Sequence, residues 1–152
     1  MKILVVYDGT IQSKDLLRST LRGVKNSGDR LTVLHVFNSA VFIDYDAGPK
    51  AEEIARREAL GRIEEAREII REAGIGIKAR LVAREGIPKD EIIGYVEQES
   101  VDVLLCPQRY RSARKRFAEI LSGKGGGEFD DLEGLTASPI ESFGANDAKI
   151  RI

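Results

Sequence analysis

"KILVVYDGT", residues 2–10, decides the fold. After Lys2 it runs Ile-Leu-Val-Val-Tyr, without the apolar–polar alternation of a half-exposed strand. A run of this kind is a strand buried on both faces, as in parallel sheets covered by helices on each side. Asp8, Gly9 and Thr10 end the strand and turn the chain. Behind the turn, Leu17, Leu21 and Val24 fall at i, i+4 and i+7, one face of a helix that Gly28 can terminate.

The same alternation of elements continues outward. "LTVLHVF" (Leu31–Phe37) is a second buried strand. The connection "NSAVFIDYDAGPK" carries Val41, Phe42, Ile43 and Tyr45, too much apolar surface for a plain linker, and is expected to pack on the body. Ala51, Ala55, Ala59, Ile63, Ala66, Ile70 and Ala73 mark the stripe of a long helix stopped by Gly74. "IKARLVA" (Ile77–Ala83) alternates apolar residues with Lys78 and Arg80, as an edge strand does. A third helix starts with Pro88 in its first turn and turns Ile92, Ile93 and Val96 inward. "VDVLLC" is a fourth strand, and Ser112 is expected to N-cap a fourth helix from Ala113 to about Leu121.

This β-α-β-α-β-α-β-α order predicts an α/β fold: a doubly wound parallel sheet with helices on both faces. The 152 residues suit one domain spanning 1–152. Within it, the glycine-rich stretch 123–131 is expected to be a mobile loop. Residues 132–152 are expected to hold a fifth strand, in "SPIESF" or in "AKIRI".

Composition removes several functions. Twenty-four Lys and Arg balance 25 Asp and Glu, net −1, so nothing global attracts a polyanion and nucleic acid is not the expected partner. The single cysteine, Cys106, allows neither an internal disulfide nor a Cys-rich zinc site. The N-terminal apolar run is too short for a signal or a membrane span, so the chain reads as cytoplasmic.

In open parallel sheets, ligands bind beyond the carboxyl ends of the strands, where strand order reverses. Two such ends carry turn-forming polar residues: Asp8, Gly9 and Thr10 after strand one, and Gln108–Ser112 after strand four. Arg109, Arg111, Arg114, Lys115 and Arg116 crowd the second end. Such a run is either a solvated face or, at a helix N-terminus, an anion site. Asp8 either positions a ligand or metal or organises its own turn. Asp44 and Asp46 could join it at a metal, or simply be solvated. His35 reads as a hydrogen-bonded core residue, and Cys106 as buried, unless the nearby cations activate it. No second histidine and no paired nucleophile accompany them, so the chain is read as non-enzymatic.

At this point two stretches resemble the universal stress protein (UspA-like) family. "ILVVYDGTIQSKDLLRSTLRGVKNSGDRLTVLHVF" is similar to its opening: a strand, an Asp-Gly-Ser turn, a helix, and a strand ending in His-Val. "VAREGIPKDEIIGYVEQESVDVLLCPQRYRSARKR" resembles its second signature: Gly-x-Pro, a helix, an Asp at the strand start and a basic turn. The resemblance implies a Rossmann-like sheet of five strands in the order 3-2-1-4-5, of the adenine-nucleotide alpha-hydrolase type. It also implies a stress-response role and a homodimer joined through the last strand.

Members that bind ATP carry Gly-x2-Gly-x9-Gly-Ser/Thr after strand four, because a Cβ obstructs the approach of backbone N–H groups to phosphate. On this sequence those glycines fall on Pro107, Tyr110 and Ile120, with Leu121 in the hydroxyl position. Nor is "SGKGGG" a P-loop, since Ala118 and Gly125 stand where glycine and Ser/Thr are required. At strand one, Asp8 matches the family's nucleotide-contacting Asp, Gly9 and Thr10 keep its turn, and Val36 falls where residues flank the adenine. The resemblance therefore implies a regulatory protein with weakened or lost ATP binding. The alternative is a nucleotide or other phosphate-bearing ligand held by Asp8, Gly9, Thr10, Val36, Arg109, Arg111, Ser112 and Arg114. A receiver or flavodoxin-like domain fits less well: Ala83, Arg84 and Glu85 stand where a receiver needs its phosphorylatable Asp, and "DGTIQSKD" lacks a flavin phosphate loop.

Overall fold

Strand β1 (Lys2–Val6) is hydrogen-bonded on both sides, to β2 (Arg30–Phe37) and to β4 (Val103–Leu105), with β3 (Ala79–Glu85) paired to β2. These three pairings are parallel, in the order β3-β2-β1-β4. The computed structural model describes residues 1–24, 28–38, 50–74 and 78–123, and the backbone of 142–143 and 147–148. Between the strands run helices α1 (Ile11–Val24), α2 (Ala51–Ala73), α3 (Pro88–Glu99) and α4 (Arg111–Leu121).

The missing alternation in β1 has a direct cause. Ile3, Val5 and Tyr7 enter a core closed by Leu17 and Leu21 of α1 and by Ala66 and Ile69 of α2. Leu4 and Val6 enter the opposite core with Ile92, Tyr95 and Val96 of α3 and Ala113 and Phe117 of α4. Both pleat faces are covered, so each apolar side chain contributes roughly 1.5–3 kcal/mol by burial. The two helical layers match the expected doubly wound architecture.

β3 is the edge of the sheet, as its alternation predicted, but it starts and ends two residues later than Ile77–Ala83. Arg80 and Arg84 lie along Tyr95 of α3: Arg80 Nη1 is 3.4 Å from the Tyr95 hydroxyl, and the Arg84 guanidinium is 5.0 Å from the ring centroid. The pattern of α2 is close to the expected stripe, with Ile69 buried and Ile70 packed at its margin. Gly74 ends α2 at φ 120°, a conformation open to glycine.

Two expectations change. Ser112 is not an N-cap: α4 begins at Arg111, two residues before the expected Ala113, behind a 3-10 turn over Gln108–Tyr110, and Ser112 is an exposed residue of its first turn. The 3-10 turn already carries the chain into helical geometry, so no side-chain cap is needed there. The sheet has four strands among the described residues rather than five. β5 (Ser142–Phe143) and β6 (Asp147–Ala148) each overlap one of the two candidate fifth strands, yet they pair antiparallel with each other. Residues 124–131 of the expected mobile loop, and the apolar connection 39–49, lie outside the described residues.

Candidate functional site

The β1–α1 turn and the β4–α4 turn meet across the carboxyl ends of adjacent strands, because β1 and β4 are neighbours. The first turn is built from short local bonds. Asp8 Oδ1 accepts the Thr10 N–H at 3.1 Å and the Thr10 hydroxyl at 2.6 Å. Thr10 Oγ1 accepts the Ser13 N–H at 3.2 Å, which caps α1 from N-cap to N3. The Ser13 hydroxyl donates back to the Thr10 carbonyl at 3.0 Å and accepts the Asp8 N–H at 3.3 Å. Gly9, at φ 81°, makes the bend.

The second turn reaches toward the first with side chains. The Tyr110 hydroxyl donates to Asp8 Oδ2 at 3.1 Å, and Arg109 Nη1 lies 3.2 Å from the same oxygen. The Arg109 guanidinium also sits 5.0 Å from the centroid of the Tyr110 ring. Gln12, in the first turn of α1, accepts the Gln108 N–H at 3.1 Å.

These contacts decide the charge state of Asp8. Burial of its side chain, 7% exposed, acts to raise the pKa. Hydrogen bonds from Thr10, Ser13 and Tyr110 outweigh that, and the carboxyl lies below the ordinary carboxylate range. Tyr110 is shifted the opposite way, first by burial and then by the Asp8 charge, so its phenol stays protonated as a donor.

Three backbone donors of the second turn are bonded within the protein. Pro107 has no N–H. The Gln108 N–H goes to Gln12, the Tyr110 N–H to the Pro107 carbonyl at 2.9 Å, and the Arg111 N–H to the Gln108 carbonyl. None of these three donors is free in this arrangement.

The structure thus brings Asp8, Gly9, Thr10 and Arg109 together. Arg111 and Ser112 lie exposed on α4, Arg114 is half-buried, and Val36 is buried in the core shared with Ile92 and Tyr95. The cation run divides: Arg109 pairs with Asp8, Arg116 with Glu119 at 3.0 Å, and Lys115 is also partnered. His35 is a bonded core residue, its Nδ1–H donating to the Tyr7 carbonyl at 2.9 Å, and burial holds its pKa down. Cys106 is buried and its thiol is pushed up to about 12 by desolvation, which outweighs the lowering by Arg114 and removes the reactive reading. Asp44 and Asp46 lie outside the described residues, and no group of three metal-ligating side chains forms among those described.

Three contributors were not expected from sequence. Gln12 supplies the bond to Gln108. Glu65 of α2 accepts the buried Tyr7 hydroxyl at 2.9 Å, and Arg62 pairs with Glu65. Arg62 also lies so close over Gly9 that a Cβ there would stand 2.8 Å from its Cδ. A buried tyrosine hydroxyl needs a partner, and that requirement was the available signal for Glu65.

Comparison with known proteins agrees with this architecture. The solved universal stress protein UspA from Lactobacillus plantarum is 19% identical, with a TM-score of 0.61 over 70% of this chain and 75% of that one. A universal stress protein family member from Arabidopsis thaliana, solved with AMP bound, is 21% identical, with a TM-score of 0.52 over 78% of this chain and 83% of that one. A universal stress protein from Archaeoglobus fulgidus, in complex with dAMP, is 18% identical, with a TM-score of 0.53 over 82% and 92%. No curated protein sequence matches the chain. The sequence profile of the universal stress protein family matches residues 1–121, the whole of the sheet and its four helices, and the chain belongs to that family.

Proposed function

We propose that this chain is a non-enzymatic, regulatory universal stress protein. In this reading residues 1–152 form one cytosolic domain, work as a homodimer, and have lost the backbone cradle for ATP phosphates. The observation that carries it is the 107–111 turn, whose donors at Gln108, Tyr110 and Arg111 are already spent on Gln12, Pro107 and Gln108. The AMP and dAMP bound by relatives give the ligand class against which this loss is measured. No helix among the described residues is long and apolar enough to cross a membrane.

A second reading keeps an anion on side chains alone. Arg111 favours it, being exposed and without a partner among the described residues. Equilibrium dialysis of the full chain against ATP and Mg²⁺ separates the two. The proposal expects no retention at about 1 mM ATP. Retention abolished by Arg111→Ala with Arg114→Ala selects the side-chain reading. Retention that survives those substitutions sinks both.

A further inference from the structure

The two turns are tied by bonds that all run from one to the other: Tyr110 and Arg109 to Asp8, and Gln108 to Gln12. Asp8 does not need the second turn to be oriented, because Thr10 and Ser13 hold it from its own side. Its Oδ2 faces outward from that local frame, and a carboxylate oxygen only accepts. The groups that now meet it are the Tyr110 phenol and, from outside, the Arg109 guanidinium. Nothing in the packing of the Tyr110 ring, which lies in the core with Cys106, Ala113 and Phe117, calls for a hydroxyl.

We propose that Tyr110 is a built-in occupant of the space between the two turns, its hydroxyl standing on the Asp8 oxygen that a hydroxyl-bearing ligand entering there, such as a nucleoside, would need as its acceptor. Arg109 locks the arrangement from outside, pairing with the same carboxylate and covering the Tyr110 ring. Gln12 holds the base of the turn shut. A ligand entering here must displace contacts that the chain makes with itself, so the crevice is closed by sequence rather than by a missing wall. The inference rests on the reading that the phosphate cradle is lost, and it adds that the Asp8 acceptor is kept but occupied.

The test is calorimetry of the full chain with AMP, comparing the wild type, Tyr110→Phe and Tyr110→Gly. The wild type is expected to bind no tighter than about 1 mM. Tyr110→Gly is expected to bind at least about tenfold tighter than that limit. Tyr110→Phe, which keeps the ring and removes the phenol's bond to Oδ2 while leaving the Arg109 pair, is expected to move the same way by less. Adding Asp8→Asn to either variant removes the gain. Folded variants, by circular dichroism and cooperative melting, that bind AMP no better than the wild type overturn the proposal. If Tyr110→Gly does not fold, Tyr110→Phe decides alone: a gain supports self-occupancy and no gain overturns it. Tight ATP binding by the unmutated chain strikes the loss-of-cradle reading instead, and needs no variant to be seen.

Discussion

The two turns at the carboxyl ends of β1 and β4 hold equivalent places in the fold and are built in opposite ways. The β1–α1 turn uses small groups and local bonds: Asp8 to Thr10, Thr10 to Ser13, Gly9 at a left-handed φ. The β4–α4 turn uses bulk and reach, sending Tyr110 and Arg109 across the crevice to Asp8. One leaves a carboxylate presented by its own frame; the other fills the space in front of it. The difference shows that a receptor position depends on what carries a Cβ. A glycine leaves donors and room, whereas a proline removes a donor and a tyrosine takes the room.

The strongest way to break the comparison is to remove the bulk. Tyr110→Gly deletes a ring that is 7% exposed and is expected to cost about 3–5 kcal/mol in urea denaturation. A cost near zero would mean that the ring does not hold the second turn. Next, Asp8→Asn removes the charge and replaces one of the two acceptor oxygens with a donor, and is expected to cost about 1–3 kcal/mol at neutral pH. The exposed Arg109 pair supplies little of that. Because the folded Asp8 carboxyl titrates below its unfolded value of about 3.9, its contribution is complete above that pH. It is lost as pH falls through the lower folded value, so the stability gap between wild type and Asp8→Asn should be flat near neutrality and close in acid. A gap that closes above about pH 5 would contradict the depressed pKa.

Smaller effects sharpen the contrast. Gly9→Ala places a Cβ at φ 81° and against the Arg62 side chain, with an expected cost of about 1–2 kcal/mol by thermal melting. Arg62 can swing aside, so the backbone sets most of that cost. Ser112→Ala should stay within about 0.5 kcal/mol, because the 3-10 turn, not Ser112, leads the chain into α4. A loss of about 1 kcal/mol or more would restore Ser112 as a cap.

Elements whose burial follows a simple period were legible in the sequence. The unbroken apolar run of β1, the alanine stripe of α2 and the alternation of β3 each state how many faces are covered. The neighbouring of β1 and β4, and hence of the two turns, followed from those elements together with the family resemblance. The contents of the crevice did not. In the sequence Tyr110 stands only as a lost glycine, and the structure shows its hydroxyl spanning to a residue 102 positions earlier in the chain. Arg62 and Glu65 were hidden because Glu–Arg alternation along α2 is also how a solvated helix face looks. Gln12 gave no signal at all, since a glutamine in a first helical turn bonds to solvent as readily as to a neighbouring loop. The Arg109–Arg116 run was legible as charge but not as pairing, and pairing is what divides it.

The most direct test is a ¹⁵N-resolved NMR titration of the full chain with ATP and Mg²⁺, followed at the amides of Gln108, Tyr110 and Arg111. If those donors are held by Gln12, Pro107 and Gln108 as described, their resonances stay in place up to about 1 mM nucleotide. Saturable shifts of the same three amides at micromolar ATP would show that the turn opens to cradle phosphate, and would contradict the account.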